Sequence, residues 1–193
     1  MMRPFVLLFA LHLIPPALPA QARPAPFETL DLGITVLADV NHGSLQQWWS
    51  PGPALGLGLT MPFYLGTFEL GLQYAHPSAL SDDVPGFRSL FVYAGWGGER
   101  FLGAGFAAGG GARVGVMAMR FDGDSLPGYR ASESELGLAA RAAVRWVPAG
   151  TWYAETSVSY QSVLTHHHME QVFLGAGIGR RFATPAWLRD FLD

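Results

Sequence analysis

The sequence predicts an all-β fold, an eight-stranded antiparallel up-and-down barrel that crosses a membrane with its strands. Three observations predict it. Beyond residue 22, apolar residues alternate with small or polar ones at period 2 almost throughout, as strands do when their two faces meet different surroundings. The chain is 50% hydrophobic and 14% charged, with 24 Gly among its 193 residues. An average globular chain carries about 25% charge, which a water-facing surface of this size needs. The connections alternate short and long, as in barrels whose tight turns lie on one side of a membrane and whose longer loops lie on the other.

Residues 1–22 have the layout of a secretory signal: Arg3, an apolar run from Phe5 to Ile14, a break at Pro15-Pro16, and the cleavage pattern Ala20-Gln21-Ala22. The apolar run is shorter than the ~20 residues of a spanning helix. The predicted organisation is a signal peptide over 1–22, a barrel over 23–182 and a C-terminal periplasmic tail over 183–193, with Trp187, Leu188 and Phe191 making a short amphipathic turn.

The strands follow in order. Thr29 to Val40 sets Leu30, Leu32, Ile34 and Val36 against Asp31, Gly33 and Thr35. Ala54 to Phe63 sets Leu55, Leu57 and Leu59 against Gly56 and Gly58, and Thr67 to His76 sets Phe68, Leu70 and Leu72 against Glu69 and Gly71. Phe87 to Gly97 alternates less cleanly, because Phe91 and Tyr93 oppose Leu90 and Val92. Phe101 to Phe121 is long and glycine-rich. Glu133 to Val147 opposes Leu136, Leu138 and Val144 to Arg141 and Arg145; Trp152 to Leu164 opposes Val158 and Tyr160 to Glu155 and Ser157; Gln171 to Phe182 opposes Leu174 and Ile178 to Gly175, Gly177 and Arg181. Tight turns are expected at Tyr64-Leu65-Gly66, Gly98-Glu99-Arg100 and Pro148 to Thr151. An even strand count puts both ends of the barrel on that side.

Alternation does not say which face is inside. Three points turn the leucine face outward. The other face is too rich in Gly and Ala for a solvated surface and suits a cramped eight-stranded interior. Aromatic residues gather near the short turns, among them Trp96, Trp146, Trp152 and Phe182, where amphipathic rings suit a membrane interface. Each segment has at least the ~9–11 residues that a tilted spanning strand needs. Trp48 and Trp49, in the first long loop, are expected to anchor in headgroups in the same way.

With that orientation Asp31, Glu69, Arg141, Arg145, Glu155 and Arg181 point inward near the short-turn end. They are expected to form a charge network that plugs the barrel, Glu155 lying diagonal to Arg141 and Arg145 if Trp146 pairs with Trp152. Met117 and Met119 would fill the interior. A net charge of −3, with every basic residue an Arg and no basic run, offers nothing to nucleic acid. The absence of Cys excludes a disulfide and a lipid-modified Cys terminus. Adjacent strand residues point to opposite faces, so His166-His167-His168 reads as a solvated loop; no metal or cofactor is expected.

This pattern of strand number, loop asymmetry and terminal Phe182 resembles the small outer-membrane barrels of the OmpA transmembrane domain and OmpX type, across the whole chain after the signal. The resemblance implies a bacterial outer-membrane location, lipid and lipopolysaccharide as surroundings, assembly by the barrel-assembly machinery, and a structural or surface-interaction role, with an extracellular ligand met through the long loops. His76-Pro77-Ser78 resembles the His-x-Ser-Asn stretch of the outer-membrane lipid A 3-O-deacylases. That resemblance implies His76 as base, Ser78 as nucleophile and lipid A as substrate, although Ala79 stands where that family has Asn. His42, Ser44, Asp124 and Ser125 resemble loop residues of an outer-membrane palmitoyltransferase. The reading adopted is non-enzymatic, with the lipid A esterase and a narrow pore for small solutes as alternatives.

Overall fold

The structure is a computed structural model, and it describes residues 25–40, 45–82, 84–122, 131–148, 150–165 and 169–192. The signal segment, His42, Ser44, Asp124, Ser125 and His166 to His168 lie outside the described residues.

Eight antiparallel strands close into one barrel: β1 (Thr29–Asp39), β3 (Ala54–Phe63), β4 (Gly66–Ala75), β6 (Phe87–Gly103), β7 (Phe106–Phe121), β8 (Ser132–Trp146), β9 (Trp152–Val163) and β10 (Met169–Ala183). Each pairs with its neighbours in sequence, and β1 pairs with β10 from Thr29↔Ala183 to Asp39↔Phe173, so no barrel edge stays open. Two further strands, β2 (Trp49–Ser50) and β5 (Ser78–Ala79), lie in the first two long loops and pair with each other. The chain then ends in a short helix, α1 (Ala186–Leu192).

The outside is apolar. Leu32, Ile34, Val36, Leu55, Leu57, Leu70, Leu72, Val92, Val114, Val116, Leu174 and Ile178 are all exposed, whereas Asp31 and Arg145 are only 5% and 8% exposed. That inverts the arrangement of a water-soluble domain. At about 3.3 Å per residue and a tilt near 45°, the 11 residues of β1 rise about 25 Å, the height of an outer-membrane apolar band.

The strand connections correct two expectations. The turn expected at Gly98 to Arg100 lies instead at Ala104-Gly105. Gly103, Ala104 and Gly105 all have positive φ (101°, 50° and 80°), which the two glycines adopt without strain. Gly98 to Arg100 remain extended and pair with Gly110 to Ala108. In a run this rich in glycine, several sites meet the turn requirement, and pairing decides among them. The second correction concerns β8 and β9. Trp146 pairs with Ala154, and Trp152 pairs with Arg180 of β10. Val147 N donates to Gly105 O and Arg181 N to Thr151 O, so the connecting segment is held by the neighbouring hairpin and by β10.

Glycines on the inner face make room for rings. Gly33, Gly179 and Tyr153 lie side by side on β1, β10 and β9. A Cβ on Gly179 would fall on the Tyr153 ring. Gly179→Ala is therefore expected to cost about 1–3 kcal/mol by overpacking, read as a lowered urea midpoint in lipid vesicles. Gly98→Ala, where nothing lies within 4 Å of the added atom, should stay within about 0.5 kcal/mol of the parent. Equal costs at the two positions would refute the packing argument.

Candidate functional site

The interior has two halves of different chemistry. Near the short turns, on the inward parity of β1, β4, β6, β7, β8, β9 and β10, it holds four carboxylates (Asp31, Glu69, Glu99, Glu155) and four guanidiniums (Arg113, Arg141, Arg145, Arg181) in ion pairs. Arg145 is the hub. It donates to Asp31 Oδ2 at 2.9 Å and Glu155 Oε2 at 3.3 Å, and its Nη1 lies 3.2 Å from Glu99 Oε2. Arg181 grips Asp31 with two hydrogen bonds of 2.8 Å. Arg141 pairs with the other oxygen of Glu155. Arg113 grips Glu69 through Nε at 3.0 Å and Nη2 at 2.6 Å. Two-point contacts of this kind fix geometry as well as charge.

Each cluster rests on an inward tyrosine. The Arg145 guanidinium lies 4.3 Å from the Tyr153 ring centroid, and that of Arg113 lies 4.5 Å from Tyr93, whose hydroxyl donates to Glu69 Oε1 at 3.3 Å. Both rings occupy space left by inward glycines, Gly179 in one case and Gly71 in the other. The guanidiniums thus meet ring faces and carboxylates, a desolvated arrangement that strengthens cation–π attraction.

Near the long loops the interior mixes apolar clusters with a buried polar set, in which Gln46 and Gln171 both donate to Asp39 Oδ2, at 3.0 and 3.3 Å. Leu45, Phe87, Phe91, Tyr93, Met117, Met119 and Val163 pack together, with Trp49, Phe121 and Met169 against them. Leu37, Ala54, Ala75 and Phe173 make a second buried group. The weak alternation expected for the fourth strand resolves here: Phe91 and Tyr93 are the interior residues, and Leu90 and Val92 face out.

The structure brings Asp31, Glu69, Arg141, Arg145, Glu155 and Arg181 into ion pairs inside the barrel. Arg113 and Glu99 join them. Arg113 shares inward parity with Met117 and Met119, a signal present in the sequence. Glu99 was hidden by the misplaced turn; once Gly98 to Arg100 are strand, its side chain reaches Arg145. Glu155 sits directly opposite Arg145, not diagonal to it.

Trp96, Trp146, Trp152 and Phe182 are exposed on the outside near the short turns. Arg180 lies over both the Trp152 and Phe182 rings. The Trp pair of the first loop splits. Trp48 is 51% exposed. Trp49 turns to the barrel mouth, its indole donating to Pro85 O at 2.8 Å and its ring edge-on to Phe87 at 5.4 Å. It therefore packs over the apolar cluster at the barrel mouth, held there by the Pro85 hydrogen bond and the pairing of β2 with β5.

His76 and Ser78 do not meet through a hydrogen bond among the described residues. The His76 ring nitrogen lies 3.3 Å from Asp122 Oδ2, and Ser78 sits in β5 opposite Ser50. The described residues hold no group of three or more side chains suited to a metal.

An antiparallel eight-stranded closed barrel with an apolar exterior and a charged, tyrosine-lined interior has the fold of the small eight-stranded outer-membrane β-barrels. Two solved members of that class match it. Neisserial surface protein A aligns with a TM-score of 0.63 at 12% identity, over 80% of this chain and 97% of that one. The N-terminal β-barrel domain of OprF from Pseudomonas aeruginosa aligns at 0.52 and 13%, over 82% and 100%. No family model and no curated protein matches the chain in sequence.

Proposed function

We propose that this chain is a non-conducting bacterial outer-membrane barrel, exported by the segment 1–22 and assembled by the barrel-assembly machinery among lipid and lipopolysaccharide. Its long-loop side is the contact surface, and its role is structural or one of surface interaction. One observation supports the reading: ion pairs centred on Arg145 join β1, β6, β8 and β9 across the short-turn half of the interior, and an apolar cluster that includes Leu45 and Trp49 packs in the loop-side half. The cavities lined by these charges measure about 60, 140 and 50 Å³, the 140 Å³ one lying at the short-turn end beside Asp31, Glu99, Arg145 and Arg181. An eight-stranded barrel has just enough interior for its side chains.

The test is conductance in a planar bilayer. The folded chain is expected to show no stable, large openings across the voltage range the bilayer tolerates. Sustained openings that scale with protein added would establish the pore instead.

A further inference from the structure

The outward face of the barrel is apolar until its loop-side rim. There, on adjacent strands, Arg88 of β6 and Arg120 of β7 stand directly opposite each other. Both are exposed and both belong to the lipid-facing parity. Below them run Leu90 with Ala118, then Val92 with Val116, so the pair marks the upper limit of the apolar band. Ser132 of β8 pairs with Arg120 and continues the row.

Like charges directly opposed across a sheet repel. The nearby carboxylate, Asp122, lies 3.5 Å from Arg88 Nε and 3.3 Å from His76 Nε2. It is therefore shared between Arg88 and His76, and among the described residues Arg120 has no ion-pair partner. The cationic sector is local. On the far side of the rim the outward residue is acidic, Glu170, which accepts from Tyr160. The short-turn rim is different again: of its outward arginines, Arg100 and Arg180, Arg180 is covered by the Trp152 and Phe182 rings.

We propose that Arg88 and Arg120 bind the phosphate of a lipid headgroup in the leaflet on the loop side. Two guanidinium forks side by side fit the several oxygens of a phosphate, and the anion removes their mutual repulsion. The apolar strip directly beneath accepts the acyl chains of the same molecule, which a free phosphate lacks. Juxtamembrane arginines add further attraction to an anionic surface. The proposal rests on the membrane reading above, and the experiment separates the two.

The full chain is folded in neutral detergent, and its folded state is checked by the mobility difference between heated and unheated samples. Phosphatidic acid, diacylglycerol and inorganic phosphate are then each added, and retained ligand is read by native mass spectrometry. Phosphatidic acid is expected to bind and diacylglycerol not. Arg120→Gln, at an exposed position with no ion pair to lose among the described residues, should weaken phosphatidic acid binding roughly tenfold, as loss of a charge-assisted contact does. The double variant Arg88→Gln/Arg120→Gln should weaken it further, and Arg180→Gln should leave it unchanged. Unchanged binding in the double variant overturns the site. Equal loss on Arg180→Gln overturns its location, and inorganic phosphate binding as well as the lipid overturns the headgroup assignment. A chain that does not fold in detergent at all fails the membrane reading instead.

Discussion

Arg145→Leu is expected to destabilise the folded barrel by about 3–5 kcal/mol, the cost of breaking a buried ion pair from one side. The side chain is only 10% exposed and faces Asp31, Glu99 and Glu155 together. Asp31 keeps Arg181 and Glu155 keeps Arg141, but among the described residues Glu99 has no other ion-pair partner. The Tyr153 ring also loses the cation above it. Urea unfolding in lipid vesicles reads the effect. Adding Glu99→Gln to Arg145→Leu should restore about 1 kcal/mol or more, because it removes the orphaned charge. A parent-like midpoint for Arg145→Leu would mean that water, not protein, solvates these carboxylates, and the closed interior would go with it.

The second large effect tests the outside. Val92 lies between Leu72 and Val116 on the outward face, midway between the Trp96 level and the Arg88 level. Val92→Arg should cost about 2–4 kcal/mol in a bilayer, whereas an arginine near the interface costs about 0–1. Ser162, at the loop end of β9 and paired with Glu170, is the matched interfacial position. Ser162→Arg should therefore leave the unfolding midpoint almost unmoved. If both substitutions were equally mild, or if Val92→Arg made the chain fold in plain buffer, the apolar face would not be meeting hydrocarbon.

How far the sequence can be read depends on what kind of contact is asked for. The outward set, from Ile34 and Val36 to Leu174 and Ile178, follows from period 2 alone, because a strand has two faces and no more. Asp31, Glu69, Arg141, Arg145, Glu155 and Arg181 followed by the same counting once the apolar face was turned outward. The counting failed where parity was interrupted. Glu99 sits in a stretch where Gly98, Gly103 and Gly105 offered several turn positions, and a turn placed too early sent its side chain to the wrong compartment. Trp49 failed for a different reason. A loop residue has no lattice of neighbours to set its direction, and only pairing of β2 with β5 turns it over the mouth while Trp48 stays outside.

The number of barrel strands, the faces of the strands that alternate cleanly and the inversion of polar and apolar sides were determined by the sequence alone, because they depend on local periodicity and overall composition. Tertiary structure decided which charge meets which, where the long hairpin turns, and that Arg88 and Arg120 stand opposite each other. Those facts depend on register between strands distant in sequence. Register is set by closure of the whole barrel, where shifting one strand moves every partner it has.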